Sequence, residues 1–131
     1  MSRLTEGEGV SNEPRIAIID DDESLRLALV GFVRSLGYRA TGFASADEFL
    51  AAGAAGTSDC IVTDIQMPGL SGIDLKHHLT RAGCRVPVIM VTARTEPALH
   101  ERALASGALC LLRKPFTDDA LIGCLERALT A

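Results

Sequence analysis

Four short apolar runs in this chain each end in a polar or charged side chain, and this pattern restricts the possible folds more than composition does. Ile16 to Ile19 runs into Asp20-Asp21-Asp22. Ile61 and Val62 lead through Thr63 to Asp64, Val88 to Val91 leads to Thr92, and Leu109 to Leu112 leads to Arg113-Lys114. Runs this short and this rich in Ile, Val and Leu suit strands covered on both faces, as in a parallel sheet. If they are parallel, their carboxyl ends share one edge of the sheet, where ligands bind in open α/β folds. Separations of 44 residues (Asp20 to Asp64), 28 (Asp64 to Thr92) and 22 (Thr92 to Lys114) leave room for helical crossovers, which need about a dozen residues or more.

The intervening segments supply those crossovers. Leu25, Leu29, Phe32, Val33 and Leu36 recur at helical spacing over residues 24–36, and Gly37 ends the helix. A short strand over 39–43 precedes Ser45-Ala46-Asp47-Glu48, a capping-box pattern that launches a helix through about Ala52, with 53–58 as loop. Ile73, Leu75 and Leu79 mark a helix after Gly72 that stops at Gly83. Thr95-Glu96-Pro97 starts another that runs to about Ser106, since Pro is favoured in a first turn where its missing N–H costs nothing. Thr117-Asp118-Asp119 caps a last helix carrying Leu121, Ile122, Leu125 and Leu129. Five strands alternating with five helices predict a doubly wound parallel sheet with helices on both faces.

Composition narrows the functional classes. At 131 residues, 47% of them hydrophobic, the chain suits a single domain with one buried core. The net charge is −4, and the eleven arginines and two lysines form no basic stripe with interleaved aromatics, which argues against direct nucleic-acid binding. No stretch is apolar enough to span a bilayer, and the mixed polar opening, residues 1–14, is read as a disordered arm rather than a signal peptide. The expectation is a cytoplasmic protein, with residues 15–131 as its one domain. Cys60, Cys84, Cys110 and Cys124 show no C-x-x-C pairing and are read as reduced and structural.

Gathering Asp20, Asp21 and Asp64 at one sheet edge is electrostatically unfavourable, because like charges resist joint ionisation. A divalent cation resolves the conflict. Hard carboxylate oxygens with no His or Cys nearby suit Mg²⁺, which pairs one or two carboxylates with a phosphate oxygen. Lys114 offers a mobile positive charge and Thr92 a hydroxyl, both suited to a phosphate carried on Asp64. Asp22 is read as the cap of the first helix rather than a metal ligand. His77, His78 and His100 have no metal spacing and are read as surface residues.

The four motifs Ile18-Ile19-Asp20-Asp21-Asp22, Val62-Thr63-Asp64-Ile65-Gln66-Met67-Pro68-Gly69, Val91-Thr92-Ala93 and Arg113-Lys114-Pro115-Phe116 resemble, in order and placement, the receiver domain of two-component response regulators. The likeness covers residues 15 to 130. It implies a flavodoxin-like (βα)5 fold with strand order 2-1-3-4-5, and Asp64 as the phosphoacceptor. It also implies Asp20, Asp21, Asp64 and the Gln66 backbone carbonyl as Mg²⁺ ligands, and Thr92 and Lys114 as contacts of the phosphoryl group.

The implied partner is a sensor histidine kinase or a histidine phosphotransfer protein. The implied response is a rearranged surface on the fourth helix, fifth strand and fifth helix, through which a homodimer can form. Such a domain catalyses only its own phosphorylation and dephosphorylation. The family usually carries an aromatic ring three residues before the lysine, where this chain has Leu111. Gln66 and Arg94 stand where the family tunes phosphate loss, and a cis bond before Pro115 is expected. Ser45 to Leu50 resembles receivers that precede a helix-turn-helix output domain, so the chain is either a stand-alone regulator or a receiver from a longer protein. Two other readings stay open: a phosphorylation-independent interaction module, and a haloacid-dehalogenase-type phosphatase with Asp20 as nucleophile.

Overall fold

The computed structural model describes residues 13–130. Five strands and five helices alternate along the chain: β1 (Arg15–Ile19), α1 (Glu23–Ser35), β2 (Arg39–Phe43), α2 (Ala46–Ala51), β3 (Cys60–Asp64), α3 (Gly72–Arg81), β4 (Val88–Thr92), α4 (Pro97–Ala105), β5 (Cys110–Arg113) and α5 (Asp118–Thr130). The strands form one parallel sheet in the order β2-β1-β3-β4-β5. The expected architecture and strand order are therefore observed. One element was not foreseen: Ala54–Thr57, read as loop, closes a turn of 3₁₀ helix. The expected arm falls almost wholly on residues outside those described. Pro14, its last residue, already accepts a hydrogen bond from the Arg39 amide at 2.9 Å beside β1.

Burial follows strand position. β3 and β4, inside the sheet, are buried at every residue, whereas the edge strands β2 and β5 mix buried and more open positions. This is the physical origin of the apolar runs, since an inner strand of a two-sided sheet has no solvent face. One face packs Ile16, Ile18, Val62, Ile89 and Val91 against Leu29, Val33, Leu121 and Leu125 of α1 and α5. The other packs Ala17, Ile19, Ile61, Val88 and Met90 against Phe49, Leu75, Leu79 and Leu99 of α2, α3 and α4. All four cysteines are free thiols. Burial pushes Cys60 and Cys124 up to about 12, which keeps both as neutral, unreactive packing groups.

Helix starts are set locally. The Asp22 side chain accepts the Leu25 amide at 3.2 Å, so Asp22 is the cap it was expected to be. Ser45 caps α2 by accepting the Glu48 amide at 3.0 Å. α3 opens with a full capping box between Ser71 and Asp74.

Candidate functional site

The chain leaves β1 for β2 on one side and returns through β3 on the other, so the strand order reverses between β1 and β3. That crevice is where open α/β sheets hold their ligands. Ile19 pairs with Thr63, and the next residues, Asp20 just past β1 and Asp64 at the last position of β3, lie side by side at the carboxyl edge of the sheet. Asp20, Asp21 and Asp64 can each bring a carboxylate oxygen within 4.8 Å of the other two.

The three carboxylates are not equivalent. Asp20 is 2% exposed and Asp64 8%, whereas Asp21 faces solvent. Asp20 is held by its surroundings: its amide donates to the Phe43 carbonyl at 3.1 Å, and its Oδ1 accepts the Asp22 amide at 2.9 Å. The Arg26 guanidinium donates to the Asp20 carbonyl at 2.8 Å. Among the described residues, the Asp64 carboxylate accepts one backbone amide, that of Gln66, 3.4 Å from its Oδ1.

Lys114 reaches the same place from β5. Its Nζ lies 3.4 Å from Oδ2 of Asp20 and 3.4 Å from Oδ2 of Asp64. These lengths are beyond the usual 2.7–3.2 Å of a tight N–H···O bond, so the amine acts as a shared counter-charge that either carboxylate can give up. A cis peptide bond between Lys114 and Pro115 turns the chain directly after it.

Burial raises the Asp64 carboxyl above its ordinary value, Lys114 opposes that rise, and the neighbouring Asp20 charge adds to it. A buried carboxylate that is still incompletely compensated beside a lysine has room for a further cation. The donor set fits Mg²⁺, being all oxygen, with two buried carboxylates, one exposed one, and no thiolate or imidazole among them.

Thr92 ends β4 beside the pairing of Asp64 with Val91, and it is fully buried. Its Oγ1 accepts the Arg94 amide at 3.0 Å and its carbonyl accepts the Lys114 amide at 2.8 Å. Leu111 is partly buried on the sheet face that carries α4. His77 and His78 are exposed on α3.

One contributor escaped the sequence reading, and a second, Gly72, is legible there only as a turn residue of the loop after Asp64. The hold of Arg26 on the Asp20 carbonyl carries no local signature. Gly72 has one only in part: it begins α3 under the site, and a Cβ there would lie 2.6 Å from the Asp64 carbonyl oxygen, so only glycine lets the helix pack this close.

A doubly wound sheet with an acid cluster at its switch point and a lysine from the last strand defines a class of signalling domain. The family described as response regulator receiver domain matches residues 16–126, and this chain belongs to it. Nodulation protein W of Bradyrhizobium diazoefficiens is 34% identical over 121 residues, covering 89% of this chain and 53% of that protein. Transcriptional regulatory protein FixJ of Azorhizobium caulinodans is 38% identical over 114 residues, covering 87% of this chain and 54% of that one. The chain thus spans about half the length of these curated relatives. A solved structure of a response regulator receiver protein from Burkholderia phymatum shares 40% identity and a TM-score of 0.78, covering 90% of this chain and 96% of that one. The family match leaves the phosphatase reading built on Asp20 without support. Among the described residues, no helix is long and apolar enough to cross a membrane.

Proposed function

We propose that residues 15–131 form a receiver that takes a phosphoryl group onto Asp64 from the phosphohistidine of a sensor histidine kinase or histidine phosphotransfer protein. The observation that carries this reading is the Lys114 amine standing 3.4 Å from both buried carboxylates at the switch point. In the transfer, Asp64 Oδ forms a bond to phosphorus in line with the departing imidazole nitrogen. The P–N bond breaks and the histidine ring leaves. Phosphoryl transfer needs positioning and charge compensation more than proton abstraction, which suits a site built from carboxylates, an amine and a hydroxyl.

Asp20, Asp21, Asp64 and the Gln66 carbonyl would hold Mg²⁺. Bound there, the ion would supply the positive charge that offsets the carboxylates and the incoming phosphoryl group. Lys114 and the Thr92 hydroxyl then contact the phosphoryl oxygens, and the surface of α4, β5 and α5 rearranges, with a homodimer as one outcome. The protein acts in the cytoplasm as a signalling domain that processes only its own phosphate. The name transcriptional regulatory protein, carried by its relative FixJ, supports transcription regulation as the process it serves.

The test is incubation with radiolabelled acetyl phosphate and Mg²⁺. Label should enter the wild-type chain, require the metal, and be absent from Asp64→Asn. Label at wild-type level in that variant would end the proposal, and a wild-type chain that takes up none would point to a phosphorylation-independent interaction module.

A further inference from the structure

The connection between β4 and α4 is tied at both ends of a single residue. The Arg94 amide donates to Thr92 Oγ1 at 3.0 Å, and the Arg94 carbonyl lies 2.8 Å from Nε2 of His100, one turn into α4. A carbonyl oxygen can only accept, so His100 Nε2 carries the proton. The two groups flank one Cα, and a change imposed on the amide therefore reaches the carbonyl through the φ and ψ of that residue alone.

The Arg94 side chain adds a third tie. Its guanidinium meets the Glu96 carboxylate at 2.6 to 3.1 Å, and Glu96 is the cap of α4, its carbonyl accepting the Leu99 and His100 amides at 3.1 and 3.2 Å. Hydrogen bonding to Arg94 holds the Glu96 carboxyl down at about 2, so this pair stays ionised throughout the neutral range.

Leu111, by contrast, offers α4 only an apolar contact. It packs in the cluster that contains Leu99 and Ala103, and it has no group that could follow the position of a hydroxyl.

We infer that His100 is a positioning residue that ties α4 to the Thr92 hydroxyl through Arg94, and that this tether carries the state of Asp64 to the helix. The inference rests on Asp64 as phosphoacceptor. When the Thr92 hydroxyl turns to donate to a phosphoryl oxygen, Oγ1 moves away from the Arg94 amide. The freed residue rotates, its carbonyl leaves His100, and the first turn of α4 loses its hold on the loop. Rotation about one residue, rather than displacement of a ring, is the moving part.

The test uses the full ¹⁵N-labelled chain with Mg²⁺, with and without beryllofluoride, read by amide chemical shifts. In the wild type, the shifts should spread from Thr92 and Arg94 into residues 98–105. His100→Ala should keep the response at Thr92 and Arg94 while shrinking that of α4 at least about twofold, because a weaker tie passes on less of the population shift. His100→Gln, which keeps an N–H donor of similar reach, should restore it. A purely structural role would change the thermal midpoint without rescue by Gln. Wild-type α4 shifts in His100→Ala, or a Gln variant no better than Ala, would overturn the tether. A wild-type chain with no response at Thr92 or Asp64 would instead overturn the phosphoacceptor reading beneath it.

Discussion

The Lys114 amine sits 3.4 Å from Oδ2 of Asp64 and 3.4 Å from Oδ2 of Asp20, across 50 and 94 residues of chain. One cation thus serves two buried carboxylates, a ratio that leaves net negative charge in the crevice. Charge imbalance of this kind is what makes the site responsive to metal, pH and phosphate, and it sets the direction of each prediction below.

Replacing Lys114 with Met removes the shared counter-charge while keeping the stem. In metal-free buffer the fold should lose on the order of 1–3 kcal/mol, because two carboxylates are left uncompensated. Mg²⁺ should bind about tenfold more tightly, since a competing positive charge is gone. Calorimetric titration and thermal midpoints with and without Mg²⁺ check both; unchanged metal affinity would contradict the shared-charge account.

Asp64→Asn should stabilise the metal-free protein while abolishing phosphate uptake. The sign follows from the raised carboxyl. A folded-state value above the unfolded one means that the favourable contribution of Asp64 is complete below its ordinary value of 3.8. It is lost as pH rises through the folded-state value, so at neutral pH the charged form costs stability. A neutral amide relieves this cost, so the thermal midpoint of the variant should rise. A lower midpoint for the variant would reverse the assignment of burial as the dominant cause.

Mg²⁺ binding should weaken as pH falls through the raised Asp64 value, beginning above the ordinary 3.8, because the proton and the ion compete for the same oxygens. Metal titrations at stepped pH should show wild-type affinity falling with acidity. The dependence should flatten in Asp64→Asn.

Gly72→Ala should cost about 1–3 kcal/mol, as an overpacked contact does, because the new methyl would stand 2.6 Å from the Asp64 carbonyl and 3.2 Å from the Ile65 Cα. Since relief requires moving the backbone that carries Asp64, phosphate uptake should fall along with the thermal midpoint. A stable variant with normal uptake would show that α3 can retreat without disturbing the site.

Much of the site was legible because polar residues interrupt apolar runs at strand ends. Asp20, Asp64, Thr92 and Lys114 each follow such a run, and parallel topology brings strand ends together without any sequence proximity. The Asp22 and Ser45 caps were readable for a similar reason, since each acts on an amide three residues on. Ser71 and Asp74 follow the same pattern, which the glycines around them obscured. The 3₁₀ turn at Ala54–Thr57 lies in a segment of Ala, Gly and Thr with no periodicity to read. His100 looked like a solitary surface histidine because its partner is a backbone carbonyl, which leaves no trace in side-chain patterns.

The sequence by itself determined the order of elements, the two-sided burial of β3 and β4, and the set of side chains delivered to the sheet edge. Hydrophobic period and capping act over a few residues and are written directly in the chain. Only the tertiary structure decided that Asp20 is sealed while Asp21 meets solvent, that Lys114 divides its charge between two carboxylates, and that Arg94 is gripped from both sides. Those outcomes depend on distances and solvent access between segments far apart in sequence, where electrostatic energy varies steeply with both.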